Sequence, residues 1–149
     1  RQEQIDARTL LMEVEDIERV NASAKGQRFV IDIPENAQHV IGDENLLRIA
    51  LCNLAGNASR YSPGESTITL GCWRNESGHG LYVEDQGGGI TPEELPFITQ
   101  RFKRGTEVRA EGSGLGLTIV ERIAELHCAR LQLRNLPQGG LRAEIVWAN

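Results

Sequence analysis

Leu81-Tyr-Val-Glu-Asp-Gln-Gly-Gly-Gly-Ile90 opens as an apolar strand, sets two acids at the strand's end and then runs three glycines into an isoleucine. Glycine admits positive φ and lets another group approach the backbone closely. A strand followed by glycines is often a plain turn, and only its companions raise this one to a binding loop. If it is such a loop, Asp85 stands at its mouth, aimed at whatever lies over the glycines. The companions are Asn53 to Tyr61 and Gly112 to Leu117.

Upstream, Asp43 offers an N-cap to a helix running to about Arg60, with Leu46, Leu47, Ala50, Leu51, Leu54 and Ala58 as its buried stripe. Asn53 and Asn57 lie four residues apart along one edge of that stripe, with Arg60 and Tyr61 following on the same side. Asparagine is a poor helix former, and its amide needs partners when buried. A solvated polar face explains one asparagine well. Two at this spacing, beside an arginine and a tyrosine, look like groups facing a ligand.

Downstream, Thr91-Pro92-Glu93-Glu94 opens a short helix to about Phe102. Residues Lys103 to Ser113 are charged and small, and read as a mobile loop with little apolar surface to anchor it. Its Lys103, Arg104 and Arg109 are either solvated or within reach of an anion. Gly112-Ser-Gly-Leu-Gly-Leu117 then opens a helix carrying Ile119, Val120, Ile123 and Leu126 on one face. Unpaired N–H groups at a helix start make a phosphate seat. No strand precedes this triplet, so it is not the dinucleotide fingerprint in its usual setting.

The remaining elements frame these three. A first helix is expected from Asp6 to Ala24, burying Leu10, Val14, Ile17 and Val20, and stopped by Lys25-Gly26. Strands are expected over Arg28 to Ile33, Thr67 to Trp73, His79 to Asp85, Ala129 to Arg134 and Leu141 to Trp147, with Val40-Ile41 a short one at best. Hairpin strands beside helices that do not alternate with them give an α+β two-layer sandwich: a mixed, mostly antiparallel sheet of about five strands, covered on one face by three helices.

The 149 residues suit a single domain spanning 1–149, and the net charge of −5 weighs against a nucleic-acid partner. Cys52, Cys72 and Cys128 are odd in number and lack metal spacing, which reads as a reducing, cytoplasmic setting. No membrane-length apolar run or signal peptide is visible. The chain starts at Arg1, so it reads as a fragment of a longer protein.

Set in order, the motifs resemble those of the catalytic ATP-binding domain of bacterial two-component sensor histidine kinases, a Bergerat (GHKL) fold. Asn53 to Pro63 resembles that family's N box, Glu84 to Ile90 its first glycine box, Arg101-Phe-Lys-Arg-Gly105 its F box and Gly112 to Leu117 its second glycine box. The resemblance implies ATP and Mg²⁺ as cofactors. Asp85 would accept from the adenine amino group, Gly87 and Gly89 would let the loop pass close to the base, and Tyr61 and Ile90 would contact the ring. Asn53 and Asn57 would hold the metal. Arg60, Lys103, Arg104 and the backbone of Gly112, Ser113, Gly114, Leu115 and Gly116 would meet the triphosphate, with Asn53, Asn57 and Arg104 as the catalytic set. Residues 1–5 would be the remnant of a linker from a dimerisation domain, and 103–113 the ATP lid. Thr99 replaces a phenylalanine of the F box, and Cys128 stands where the pattern has glycine after His127.

The family's phosphoaccepting histidine lies on a separate dimerisation helix in a His-Glu motif. His39, His79 and His127 are expected in a loop, a strand and a helix end, and none has that context. The chain therefore reads as a catalytic domain, monomeric by itself, from a homodimeric inner-membrane sensor that also meets a response regulator. Three rivals stand beside it: a GHKL-type ATPase, an anti-sigma serine kinase and a nucleotide-binding pseudo-kinase. The ATPases place a glutamate base where this chain has Asn53, an amide that takes up no proton usefully.

Overall fold

The computed structural model describes residues 2–87 and 113–149, with the side chains of 113–116 outside that description. The expected helix from Thr91 to Phe102, the lid up to residue 112, Thr99 and the F box lie outside the described residues. In chain order the elements are β1 (Glu3–Asp6), α1 (Ala7–Ala24), β2 (Arg28–Asp32), a 3-10 turn (Glu35–Ala37), β3 (His39–Gly42), α2 (Glu44–Tyr61), β4 (Thr67–Asn75), β5 (Gly78–Glu84), α3 (Ser113–Leu126), β6 (Arg130–Asn135) and β7 (Leu141–Ala148).

Five strands form one sheet in the order β2-β4-β5-β7-β6. The β2–β4 pair is parallel, and every other neighbouring pair in it is antiparallel. A parallel pair needs a crossover, and α2 lies within the one that joins β2 to β4. The register sets Ile31, Leu70, Val83, Ala143 and Leu133 in one row across the sheet. These residues pack into one core with Leu10, Leu11 and Val14 of α1, Leu47, Leu51 and Leu54 of α2, and Val120 and Ile123 of α3. Among the described residues the result is an α+β sandwich of three helices over a mixed five-stranded sheet, the expected architecture.

The other face of the sheet carries polar residues. Gly71 of β4 stands opposite Tyr82 of β5, and a Cβ at Gly71 would lie 2.4 Å from the Tyr82 ring. That gap lets the ring lie across β4, so that its hydroxyl donates to Asp32 of β2 at 2.6 Å. Gly80 serves Trp73 in the same way, and the indole N–H reaches Glu144 of β7 at 2.8 Å. Each aromatic crosses a glycine strand to tie a strand two places away.

Two expectations need correction. Ile17 and Val20 of α1 are 53% and 77% exposed. The second half of that helix borders a cavity through Glu18, Asn21 and Ala24 instead of entering the core. His39 begins a strand, not a loop, because Glu3–Asp6 forms β1 and pairs antiparallel with His39–Gly42. Glu3, Gln4 and Ile5, within the segment 1–5 expected as a linker remnant, are residues of β1. Asp6 also caps α1, accepting from the Thr9 amide at 2.9 Å.

Candidate nucleotide-binding site

Strand alternation separates the two acids at the end of β5. Glu84 pairs with Arg142 at 2.8 Å. Asp85 is buried at 9% exposure, and its Oδ1 accepts from the Gly87 amide at 2.9 Å and the Leu141 amide at 3.2 Å. Burial pushes the Asp85 carboxyl above the ordinary aspartate range, and the two amide bonds pull against that shift without cancelling it. Both described hydrogen bonds fall on Oδ1, which leaves Oδ2 to accept from an incoming donor. The carbonyl of Asp85 lies close under Gly140, where φ is +103° and a Cβ would stand 2.0 Å from that oxygen.

Gly87 is required by the protein itself. A Cβ there would lie 2.5 Å from the carbonyl oxygen of Tyr61. The first glycine of the loop thus seats on the last residue of α2, and joins Asp85 to Tyr61 through backbone. The Tyr61 side chain is exposed.

Along α2, the Asp43 carboxylate caps the first turn through the Leu46 amide at 3.0 Å, as its place in the sequence predicts. Asn53, Asn57 and Arg60 open together onto a cavity of about 730 Å³, also lined by Glu18 and Asn21 of α1, by Lys25 just after it and by Ile119 of α3. The Arg60 guanidinium donates to Asn57 Oδ1 at 2.9 Å and lies 5.8 Å from the Tyr61 ring centre. Burial raises the Glu18 carboxyl, and it pushes the neighbouring Cys52 thiol up to about 11, which removes Cys52 as a nucleophile near neutrality. No cluster of three His, Cys, Asp or Glu side chains exists among the described residues. A metal here would rest on amide oxygens and on its ligand, a hard oxygen set that suits Mg²⁺.

Asp85 does not line that cavity, so the described residues form two neighbouring parts, one around Asp85, Gly87 and Tyr61 and one around Asn53, Asn57 and Arg60. Ser113 to Gly116 form the first turn of α3. Gly89, Ile90, Lys103, Arg104 and Gly112 lie outside the described residues.

Sequence reading missed Lys25 and Gln27. Lys25 Nζ donates to the carbonyls of Ser59, Arg60 and Ser62 at 2.7, 3.2 and 2.9 Å. Gln27 is buried, its amide nitrogen within 3.0 to 3.2 Å of the Ser59, Ser62 and Pro63 carbonyls. In sequence they only mark the end of α1. No periodicity points from there to the end of α2.

The rings of His127 and His79 pack within the fold, and His39 has a contact through its backbone. His127 Nδ1 lies 2.8 Å from the Ile123 carbonyl, and its Nε2 accepts from the Asp43 amide at 3.0 Å, so one ring tautomer ties the end of α3 to the start of α2. His79 stacks on Trp147 at 4.9 Å, and Arg74 lies within 3.5 Å of the His39 carbonyl. Cys128 follows α3 with φ +59°. Cys128 N–H donates to Glu125 O and Ala129 N–H to Ala124 O, a left-handed helix end that explains the family's glycine at this place.

The profile of the family described as "Histidine kinase-, DNA gyrase B-, and HSP90-like ATPase" matches residues 42–148. The phosphate regulon sensor protein PhoR of Pseudomonas aeruginosa is 36% identical over 134 residues, covering 88% of this chain and 30% of that protein. The sensor protein QseC of Escherichia coli is 42% identical over 106 residues, covering 71% of this chain and 23% of that protein. The chain thus spans less than a third of these relatives' length. The solved mycobacterial sensor histidine kinase MprB superposes with a TM-score of 0.78 at 27% identity, over 99% of this chain and 97% of that one. The catalytic domain of histidine kinase ThkA superposes with a TM-score of 0.83 over 99% and 97% of the two chains, and at 19% identity this likeness speaks for the fold alone.

Proposed function

The chain belongs to the family of histidine kinase-, DNA gyrase B- and HSP90-like ATPases, as a histidine kinase-type ATPase domain, and from that premise we propose that it binds Mg-ATP and passes the γ-phosphoryl group to a histidine on a separate dimerisation domain. The observation that carries this reading is the cavity onto which Asn53, Asn57 and Arg60 open side by side. Asn57 Oδ1, which accepts from Arg60, is the oxygen a metal would take, with Asn53 beside it. Mg²⁺ held there would neutralise charge on the phosphates. Arg60 then has the anionic nucleotide as a better partner than a neutral amide. Asp85 Oδ2 accepts from the adenine amino group, and Tyr61 flanks the base. Lys103, Arg104 and the turn from Gly112 to Gly116 supply the remaining phosphate contacts by resemblance. Phosphoryl transfer needs mostly positioning and charge stabilisation, which such groups provide.

Asn53 in place of a carboxylate base favours transfer to a protein side chain over hydrolysis. In this reading the parent is a homodimeric inner-membrane sensor with this domain in the cytoplasm, acting on a response regulator. No described helix is long and apolar enough to cross a membrane. The test is radiolabelled ATP with the chain and the histidine-bearing dimerisation domain of its parent. Acid-labile label on the dimerisation domain is the expected result, abolished by Asn57→Ala. Rapid phosphate release by the chain without that domain, equally abolished by Asn57→Ala, would instead make it an ATPase.

A further inference from the structure

The last four carbonyls of a helix have no partner within it. At the end of α2 the chain leaves through Ser62 in an extended conformation, φ −97° and ψ 153°. Ser62 N–H takes the Ala58 carbonyl. The oxygens that follow turn to side chains 32 to 37 residues earlier in the chain. An ammonium has three hydrogens, and the Lys25 ammonium meets three of these carbonyls, those of Ser59, Arg60 and Ser62. The Gln27 amide reaches Ser59, Ser62 and Pro63, and its Oε1 accepts from Ser59 Oγ at 2.7 Å. A positive charge at a helix C-terminus also opposes the negative end of its dipole. Backbone completes the lacing: Glu65 N–H donates to Lys25 O at 2.9 Å and Arg28 N–H to Ser66 O at 3.1 Å. The Tyr61 carbonyl faces Gly87 instead.

This turn carries Arg60 and Tyr61, and it is the seat of the first glycine of the Asp85 loop. Without outside donors a last helical turn frays. We propose that Lys25 and Gln27 are positioning residues for the nucleotide: they hold the last turn of α2 and Ser62-Pro63 where Arg60 faces the phosphates, Tyr61 flanks the base and Gly87 seats the Asp85 loop. The inference rests on the ATP-binding reading above and adds to it two residues from the α1–β2 connection, whose donors are turned to the backbone at the end of α2.

The experiment is calorimetric titration of the 149-residue chain with Mg-ATP and, separately, with adenosine. Lys25→Met keeps the aliphatic stem and removes the three donors. It should raise the Kd for Mg-ATP by about tenfold. The Kd for adenosine should rise too, since Tyr61 and Gly87 serve the base. Lys25→Arg restores donors and should recover most of the affinity. Tyr82→Phe breaks a hydrogen bond on the far face of the sheet, and should lower the melting temperature at an unchanged Kd. A folded Lys25→Met chain with wild-type Kd overturns the inference, as does Tyr82→Phe weakening ATP as much for the same loss of melting temperature. Should Lys25→Met not fold, Ser59→Ala decides: removing one bond to Gln27 should weaken Mg-ATP by about threefold, and an unchanged Kd overturns the inference. A wild-type chain without affinity for Mg-ATP removes the ATP-binding reading and this one with it. A binding wild type with an indifferent Lys25→Met removes this one alone.

Discussion

Asp85 is kept in a state that disfavours its own charge, and that state has two measurable consequences. Its folded-state pKa lies above the unfolded value, with desolvation as the main cause. The folded chain therefore holds the proton more tightly, and this group's contribution to stability is greatest at low pH and declines as pH rises through the window between the two values. Asp85→Asn keeps an oxygen for the Gly87 and Leu141 amides and removes the buried charge. The variant should melt no lower than wild type at pH 7, yet bind ATP about 10- to 100-fold more weakly, the range for a hydrogen bond to a charged group. Calorimetry and a thermal melt separate the two effects. The binding itself favours the carboxylate, because protonation turns one Asp85 oxygen into a donor and leaves a weaker acceptor for the adenine amino group. Adenosine affinity should thus be full above the raised pKa and fall as pH drops through it, starting at a higher pH than an ordinary aspartate would allow. Asp85→Asn should flatten that profile. At Cys128 the prediction runs toward gain. A left-handed conformation costs a non-glycine residue about 1 kcal/mol, so Cys128→Gly should raise the melting temperature by about 3 °C for a chain of this size.

The ends of α2 are secured by side chains both near and far in the chain. Asp43 caps its start, His127 holds the Asp43 amide, and Lys25 with Gln27 hold its last carbonyls. Only the first of these was legible in sequence, since an N-cap is local and the others join residues 32 or more positions apart. The sheet has its own long-range device in the paired glycines and aromatics. Gly71→Ala forces the Tyr82 ring off its path to Asp32, and overpacking of this kind costs about 1–3 kcal/mol. In a Tyr82→Leu background the ring and its hydrogen bond are already gone, so the same substitution should cost far less. Equilibrium unfolding of the four chains measures this coupling. Additive effects would mean that the ring does not depend on the gap.

For the molecule as a whole, period and capping gave the order of strands and helices, because strands such as β2, which packs Phe29 and Ile31 against the core, show a period of two. They missed β1, a four-residue strand too short to show a period, and misplaced Ile17 and Val20, since a helical stripe does not reveal where its neighbours end. The candidate residues on α2 stood out in sequence because two asparagines on a helix edge defy propensity, and they open onto one cavity. The clamp behind them did not stand out. The placement of the histidines bears on what the whole chain does with ATP. His127 has both ring nitrogens engaged within the fold and is 6% exposed. His79 lies at the far end of β5, six residues from Asp85 and so about 20 Å along an extended strand, with its ring stacked on Trp147. His39 lies at the start of β3, a strand paired with β1 outside the main sheet. A nucleophilic imidazole has to stand within about 3.5 Å of the phosphorus, in line with the leaving oxygen. The chain alone, incubated with γ-labelled ATP and Mg²⁺, should therefore gain no acid-labile label at concentrations where calorimetry shows it saturated. Label that appears on the isolated chain and disappears in His39→Ala would locate a phosphoacceptor within this fold and overturn the separation of catalytic and acceptor domains.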